Sequence, residues 1–313
     1  MTRPFRILGA GPAGLAAAIV LARAGARVEV LERRRTCGAR FGGDLQGLEN
    51  WSAAEDVLDE LRAAGLDTAG FHRAPFREGW QTNGRRADRL TFPRPAFYLV
   101  KRGAAPDALD QGLLRQALDV GVAVRFGATA DPADVDVIAT GPRGRVPFAV
   151  DRGIVFRTDA PDLAAVLLDD RAASRGYAYL LVTEGYGCLC TMCFTDFPGV
   201  HAAFARAKAA LLARWPVRIE DARPVGGVGH VAVVPTWTRG RALVVGEAAG
   251  AQDFLWGFGM RHALRTGVLA ARALLGAPSH ASDEARLGAP GGESARAYAA
   301  AAGAHVAPLV RAG

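Results

Sequence analysis

The sequence predicts an α/β fold in which a parallel sheet with helices is interrupted by a separate antiparallel sheet. Three regions of the 313-residue chain lead to this prediction. Short apolar strands alternate with a helix over residues 5–32. Strand-like runs dominate residues 146–240, where one clear helix spans about His201 to Trp215. A buried strand at 242–246 and a helix at 259–275 then restore the first pattern.

The first region consists of a strand, a turn, a helix and a second strand. Phe5–Leu8 is a short apolar run typical of a buried strand, and residues 15–22 have the composition of a buried helix. Residues 27–31 form another strand, which Glu32 closes. A glycine-rich turn before the helix, with an acid about 20 residues later, is the fingerprint of a Rossmann-type dinucleotide site.

Each position of this fingerprint has a physical role. Gly9 permits the tight turn, Gly11 lets a pyrophosphate approach the backbone, and Gly14 lets the helix pack closely on the strand. The helix N-terminus offers free N–H groups and a positive dipole end to phosphates, and Glu32 can accept hydrogen bonds from a ribose. The alternative is a glycine-rich turn in an ordinary α/β protein. The predicted binding residues are Gly9, Gly11, Pro12, Ala13, Gly14, Glu32 and Arg33.

Composition and charge limit the classes of partner. The net charge is +7, but no run of like charges is longer than the three arginines after Glu32, and aromatic residues are not interleaved with a basic patch. Nucleic-acid binding is therefore not expected, whereas an anionic cofactor, an acidic substrate or a peripheral membrane contact stays open. Four cysteines, at positions 37, 188, 190 and 193, do not resemble a secreted disulfide framework, and no apolar run reaches membrane-spanning length. We expect a cytoplasmic protein.

Local patterns predict the remaining elements. Residues 37–50 are rich in glycine without periodicity and predict a loop. Residues 52–64 predict a helix with Ser52 as its cap. The dipeptide Asn83-Gly84 predicts a type I′ hairpin within the aromatic-rich segment 71–100. Further elements are predicted as a helix at 106–120 and strands at 122–126 and 135–139.

These elements divide the chain into six segments. The nucleotide-binding domain is expected in three parts, at residues 1–70, 101–145 and 241–276. A hairpin at 71–100 and the segment 146–240 are expected to form the substrate sheet, and residues 277–313 a C-terminal tail with one weak helix near 293–302.

A second glycine cluster distinguishes between dinucleotides, because the first fingerprint fits both NAD and FAD. Gly246-Glu247-Ala248-Ala249-Gly250 follows a buried strand and precedes Gly257-Phe258-Gly259-Met260 and a helix. The loop at Cys37-Gly38, Lys101-Arg102 before a helix, and Ala139-Thr140-Gly141-Pro142 occur in the same order. Over residues 5 to about 275, this set resembles the geranylgeranyl-reductase-like FAD-dependent oxidoreductases, which have a para-hydroxybenzoate-hydroxylase-type flavoprotein fold.

The resemblance implies that FAD is the cofactor. It places Glu247, where Asp is usual, on the ribityl chain, although a helix-capping acid is the alternative. Backbone N–H groups after Gly257 and Gly259 would face the N1–C2=O edge of the flavin, and Arg40 or Arg102 would neutralise the pyrophosphate. The implied FAD-binding residues in this part of the chain are Arg40, Arg102, Thr140, Gly141, Gly246, Glu247, Gly257, Phe258, Gly259 and Met260.

The same resemblance implies hydride transfer from flavin N5 to a C=C bond of an apolar small molecule, with NAD(P)H or a ferredoxin-like protein as external electron donor. Residues 139–144 lack the Asp and Ser typical of the hydroxylases, and Trp237 stands without the WxWxIP run of the tryptophan halogenases. Cys37 resembles the loop cysteine of the reductases, as a proton donor or a shaping residue. His230 is a second candidate acid, with a structural histidine as the alternative. Asp253, Phe254 and Trp256 would border the flavin.

Three other functions stay open at this point: a flavin-dependent monooxygenase, a non-redox flavin cyclase or isomerase, and an FAD-binding partner protein. Cys188, Cys190 and Cys193 invite a metal interpretation, but on a strand the first two share one face and the third lies on the other. A structural zinc or a cluster needs four well-placed ligands. We therefore predict small core residues and no metal.

Overall fold

A computed structural model of the chain describes residues 3–142, 147–230, 236–252 and 258–276. The predicted tail at 277–313 and the predicted site residues Gly257, Asp253, Phe254 and Trp256 lie outside the described residues.

The described residues form sixteen strands and five α-helices. The helices are α1 Pro12–Arg23, α2 Val57–Ala63, α3 Leu109–Asp119, α4 Val200–Arg214 and α5 Met260–Leu274. The strands are β1 Phe5–Leu8, β2 Val28–Glu32, β3 Leu45–Glu49, β4 Ala74–Phe76, β5 Glu78–Thr82, β6 Ala87–Thr91, β7 Phe97–Lys101, β8 Ala123–Phe126, β9 Val137–Ile138, β10 Ala149–Arg157, β11 Leu163–Leu167, β12 Tyr177–Thr183, β13 Tyr186–Cys193, β14 Glu220–Gly229, β15 Thr238–Arg239 and β16 Ala242–Val244.

The first sheet is the parallel sheet that the sequence predicts. Its strand order is β15-β16-β9-β1-β2-β8, and every pair except β15 with β16 is parallel. Helices α1, α3 and α5 contribute to one core cluster with this sheet, in which Leu15 and Ile19 of α1 are fully buried. The crossovers between parallel strands are what bring the two glycine clusters to one edge of the sheet.

The inserted sheet has seven strands in the order β14-β10-β13-β12-β11-β5-β6. Its pairs are antiparallel except for β11 with β5, which are parallel because β5 enters from the separate 78–91 hairpin. Helix α4 covers one face, where Phe156 and Leu189 pack with Ala207 and Leu211. The other face packs on a three-stranded sheet of order β3-β7-β4. The α/β fold with an added antiparallel sheet is thus confirmed.

Three local predictions need correction. Residues 45–49 form a strand and not a loop, since β3 pairs antiparallel with β7. Helix α2 begins at Val57, because the Asp56 carboxylate caps it by accepting from the N–H of Leu58 at 2.9 Å, whereas Ser52 donates to Glu49 at 2.6 Å. The hairpin turn has a positive φ at Gly84 only, which is the pattern of a type II′ turn and not of type I′.

Within the described ranges, no helix has both the length and the apolar character needed to cross a bilayer.

Candidate functional site

The three glycines of the first fingerprint have different surroundings. A Cβ added to Gly9, which has a φ of +108°, would collide with the carbonyl oxygen of Ala139. A Cβ added to Gly14 would collide with the carbonyl oxygen of Gly9. At Gly11 the backbone is extended, with φ −79° and ψ 177°, and a Cβ would meet nothing within 4 Å. The protein itself therefore requires glycine at the first and third positions, whereas the space around Gly11 is open.

The open space adjoins the N-terminus of α1 and a carboxylate. Gly11 is the N-cap of α1, Pro12 occupies the first turn, and no side chain caps the helix. Glu32, at the end of β2, accepts hydrogen bonds from the N–H groups of Ala10 and Arg34, both at 2.9 Å. Arg33 is exposed beside it. Unused helix N–H groups beside a carboxylate match the needs of a pyrophosphate and a ribose.

The second glycine cluster lies directly against the first. The Gly246–Ala249 segment is a short 3₁₀ turn after β16, and Gly246 has a φ of +61°. A Cβ on Gly246 would lie 3.0 Å from the Cβ of Ala13, and one on Gly267 of α5 would collide with the carbonyl oxygen of Ala13. Thr266 accepts from the N–H of Gly246 at 2.9 Å, which fixes the turn on α5. Helices α1 and α5 therefore hold the two clusters in contact.

Arg40 and Glu247 form an ion pair at this junction. The guanidinium donates to Glu247 at 2.7 Å and to the carbonyl oxygen of Val228 on β14. The second carboxylate oxygen of Glu247 accepts from the backbone N–H of His230 at 3.0 Å. Gly141 lies next to this pair, since a Cβ there would be 4.0 Å from the guanidinium nitrogen of Arg40. The two predicted cofactor residues thus meet each other, where the parallel sheet and the inserted sheet join.

The helix that follows the second cluster begins beside an aromatic group. Gly259 is the N-cap of α5, and Met260 is buried in the first core. The ring of Phe258 lies over Gly47 of β3, where any Cβ would collide with it. The same ring contacts Trp51 edge-on, with centroids 4.7 Å apart, and lies 6.0 Å from the ring of Phe97. An aromatic wall therefore stands beside the N-terminus of α5.

Thr140 and His230 are also close to the junction. The backbone nitrogen of Thr140 would be 3.2 Å from a Cβ on Gly9, so this residue borders the first turn. His230 directly follows β14. It lines a cavity of about 230 Å³ together with Thr238, Arg239 and Ala249. No proton-transfer partner of His230 follows from this placement, and its predicted role as an acid stays a prediction.

Arg102 is placed differently from the prediction. Its guanidinium is buried, donates to both carboxylate oxygens of Asp110 at 2.9 and 3.0 Å, and donates to Gln46 at 2.8 Å. It also stacks over the ring of Phe41 at 4.1 Å. A guanidinium that is fully paired inside the protein stabilises the loop around it. Of the two arginines proposed for the pyrophosphate, Arg40 is the one that lies beside Glu247, and the binding of pyrophosphate by either stays a prediction.

Cys37, predicted as a proton donor or a shaping residue, is buried. It is 1 % exposed and belongs to the core cluster of α1 and α3. Burial, together with the charges of Asp110 and Glu32, raises the pKa of the thiol to about 12. This position is that of a packing residue, in line with the shaping role, and the proton-donor role of Cys37 stays a prediction.

The cysteines of β13 are buried as well. Cys188 and Cys190 share the face toward the three-stranded sheet, and Cys193 lies on the opposite face beside Val200 and Ala203. In the part of the chain that the structure describes, no group of three or more His, Cys, Asp or Glu side chains is arranged to hold a metal ion.

Sequence reasoning missed two carboxylates. Asp44 lies in the loop after Arg40 and accepts from the N–H of Gly42 at 3.0 Å, and Asp151 lies on β10. Strand alternation places Asp151 on the same face as Gly153 and Val155, which points toward the three-stranded sheet. An acid in an inward register of an apolar strand was the signal available in the sequence.

Comparisons with known proteins agree with this architecture. Residues 7–44 match the family model of an NAD(P)-binding Rossmann-like domain. This match covers the first fingerprint through the loop that carries Arg40. A search of curated proteins found no significant match.

Several solved structures share the fold over most of the chain. A geranylgeranyl bacteriochlorophyll reductase-like protein from Thermoplasma acidophilum aligns with a TM-score of 0.65 and 15 % identity, over 86 % of this chain and 77 % of that one. A flavin-dependent brominase aligns with a TM-score of 0.60 and 15 % identity, over 86 % of this chain and 77 % of that one. A 2-methyl-3-hydroxypyridine-5-carboxylic acid oxygenase aligns with a TM-score of 0.59 and 19 % identity, over 99 % of this chain and 89 % of that one. The resemblance seen in the motifs is confirmed for the fold, which is that of these flavoproteins.

Proposed function

We propose that the chain is an FAD-dependent oxidoreductase that reduces C=C bonds of an apolar small molecule. The observation that carries the proposal is the open space at Gly11 at the N-terminus of α1, together with a second glycine cluster, Gly246 to Gly250, that contacts Ala13 of the same helix and carries Glu247. An NAD-type site needs only the first of these, whereas a second cluster against the same helix suits the longer FAD.

The residues that would hold FAD can be named from their positions. The N–H groups around Gly11 and the N-terminus of α1 would bind the pyrophosphate, and Glu32 the adenosine ribose. Glu247 would accept from the ribityl chain, with Arg40 supplying positive charge next to it. The N-terminus of α5, at Gly259, would place its positive dipole end near the flavin ring. When bound and reduced, FAD supplies a hydride for the reduction of a double bond.

Apolar and aromatic side chains support the class of substrate. Phe97 and Phe258 stand near the N-terminus of α5, and Trp51 is 42 % exposed beside them. On the facing sheet, Tyr179 and Leu181 pack toward the same three-stranded sheet. Side chains of this kind bury an apolar ligand and exclude water. The external electron donor, NAD(P)H or a ferredoxin-like protein, belongs to the same proposal.

A monooxygenase is the second candidate. The oxygenase similar to this chain aligns over 99 % of it, which is more than the reductase-like protein does. Against it stands the segment from Ala139 to Pro142, which lacks the Asp that such hydroxylases carry. A non-redox flavin isomerase and an FAD-binding partner protein would share the cofactor site but not the consumption of a reductant.

One experiment separates these functions. Protein reconstituted with FAD is reduced by dithionite without oxygen and mixed in a stopped-flow instrument with a short isoprenoid alcohol. A reductase reoxidises its flavin in this mixture, and mass spectrometry finds a product with two added hydrogens. Reoxidation that requires oxygen and adds an oxygen atom identifies a monooxygenase. A protein that binds FAD but forms neither product contradicts both the reductase and the monooxygenase, and it favours the partner protein or the isomerase.

A further inference from the structure

The cavity of about 230 Å³ beside β15 and β16 lies on the side of the parallel sheet that faces away from α1 and α5. The buried part of its lining is apolar and consists of Val244 of β16 and of Ala248 and Ala249 in the turn that follows. These residues pack with Leu8 of β1 in a core cluster of their own, whereas α1 and α5 pack on the other side of the same strands. The cavity is therefore separate from the open space at Gly11.

The rest of the lining is polar and carries hydrogen-bond donors. Thr236, Thr238 and Arg239 come from the segment that leads into β15 and forms it, and His230 directly follows β14. Thr236 and Arg239 are exposed, so the cavity opens to solvent along this edge. Among the described residues that line the cavity, none is a carboxylate. A ligand can therefore enter from solvent, and the charged side chain that it meets in the lining is a cation.

The protein itself leaves the donors of this rim unused. Across the described ranges, the Arg239 guanidinium forms no ion pair and no hydrogen bond, and the same holds for the hydroxyls of Thr236 and Thr238 and for the imidazole of His230. A guanidinium carries five N–H donors and no acceptor, and each hydroxyl and a neutral imidazole adds one more donor. Free donors on four side chains around one opening match a ligand with several acceptor atoms.

Backbone contacts hold the walls of the cavity in place. The N–H of Thr236 donates to the carbonyl oxygen of Ala249 at 2.9 Å, and β15 pairs antiparallel with β16. On the other wall, the N–H of His230 donates to the carboxylate of Glu247 at 3.0 Å. The negative charge of this carboxylate is balanced by Arg40, 2.7 Å away. Donors that are fixed before binding lose little conformational entropy when a ligand enters.

Charge, donor number and size together define the class of ligand. Guanidinium and hydroxyl groups bind oxyanions through charge-assisted hydrogen bonds, and a tetrahedral phosphate offers acceptors in more directions than a planar carboxylate does. The apolar floor suits a short hydrocarbon group attached to the phosphate. The volume of about 230 Å³ is below the roughly 300–1,000 Å³ of sites for drug-sized ligands, so a whole dinucleotide does not fit.

We propose that this cavity is a phosphate-binding site. Arg239 supplies the positive charge, and Thr236, Thr238 and His230 supply the remaining donors. The ligand is inorganic phosphate or a small phosphate monoester, which present the same dianionic group. The site does not depend on the proposed function, because none of the described residues proposed to bind FAD lines the cavity.

The test is isothermal titration calorimetry of the full chain with butyl phosphate, inorganic phosphate and pentanoate. We expect both phosphates to bind with a dissociation constant of about 1 mM or lower, and pentanoate to bind more weakly. Arg239→Gln should weaken the binding of both phosphates by about 10-fold or more, and Thr238→Val by a smaller factor. Arg241→Gln removes the charge of an exposed arginine two residues along the chain. It is the matched control and should bind like the parent.

The outcomes separate the possible ligands and sites. Tighter binding of butyl phosphate identifies a monoester as the ligand and equal binding identifies free phosphate, and both results support the site. Binding that persists in Arg239→Gln but is lost in Gly11→Ala places the anion at the N-terminus of α1 and overturns the proposal. An equal loss in Arg239→Gln and Arg241→Gln shows a general charge effect and overturns it as well.

Two further results count against the proposal. Tighter binding of pentanoate than of butyl phosphate contradicts the choice of phosphate. The absence of binding at phosphate concentrations up to about 10 mM contradicts the site. Thermal unfolding of each variant, measured alongside, shows that it is folded, which we expect because Arg239 and Arg241 are exposed and Thr238→Val keeps the size of the side chain.

Discussion

The contrast between Gly11 and Gly14 gives the sharpest test of the cofactor site. In Gly11→Ala the new methyl group enters open space, and the backbone at this position, with φ −79° and ψ 177°, is one that alanine adopts freely. In Gly14→Ala the methyl group collides with the carbonyl oxygen of Gly9, which is backbone and cannot swing aside. The two substitutions are chemically identical and lie three residues apart.

The expected magnitudes follow from this geometry. Gly11→Ala reduces the entropy of the unfolded chain by about 0.4–1 kcal/mol and loses a similar amount at the helix N-cap, so the stability of the apoprotein stays within about 1 kcal/mol of the parent. Gly14→Ala should destabilise it by about 3 kcal/mol or more. If the methyl group at Gly11 costs FAD two hydrogen bonds to its phosphates, about 3–6 kcal/mol is lost, or roughly 10²–10⁴-fold in Kd.

The assay combines urea unfolding of the apoprotein with FAD titration followed by flavin fluorescence. We expect Gly11→Ala to unfold like the parent and to bind FAD weakly or not at all. Gly14→Ala should unfold at much lower urea, whatever its affinity. If Gly11→Ala binds FAD as tightly as the parent, the phosphates do not pass over Gly11 and the assignment of the site is wrong. Unfolding of Gly11→Ala would show that the space is not open.

Three further predictions follow from the site and its supports. Glu247→Gln should weaken FAD binding by about 1.5–3 kcal/mol, measured by fluorescence titration, while the melting temperature of the apoprotein hardly changes because its ion pair is partly exposed. Cys37 should resist a thiol reagent at pH 8 in the folded protein and react fully in denaturant, and rapid labelling of the native state would contradict its burial. At Glu60, burial raises the pKa, but the hydrogen bond and charge of Arg265 and the charge of Arg261 outweigh it and lower the pKa below 4.5. The stability that this carboxylate contributes is therefore present above pH 4.5 and is lost as the pH falls through the lowered pKa. In Glu60→Gln, the free energy of unfolding should depend less on pH in the acid range, and it should be about 3–5 kcal/mol lower than in the parent at pH 7.

Local sequence determined the nucleotide-binding unit almost completely. The spacing of Gly9, Gly11 and Gly14 and the acid at Glu32 specify a turn, a helix and a strand through neighbouring residues alone. The close contacts around Gly9 and Gly14 in the structure agree with their predicted roles in the turn and in helix packing. The alternation of strand and helix, and its change to successive strands after residue 146, likewise reports on short-range periodicity. These features need no knowledge of distant parts of the chain.

Short-range patterns were weaker at the borders of elements. The glycine-rich segment 37–50 has no periodicity and predicts a loop, yet residues 45–49 form a strand, and its Gly47 is needed for the ring of Phe258, which comes from far along the chain. The true N-cap of α2 is Asp56 and not Ser52, because Glu49 accepts the Ser52 hydroxyl. In both cases a long-range or competing contact decided between two local possibilities.

Only the tertiary structure decided which side chains share the site. Arg40 and Glu247 are 207 positions apart and pair at 2.7 Å, while Arg102 is withdrawn into an ion pair with Asp110. Packing also decided that Cys37 is buried in the core cluster of α1 and α3. A residue type fixes what a group can do chemically. Its partners, its access to solvent and its pKa depend on atoms brought together by packing, and a linear sequence does not record those distances.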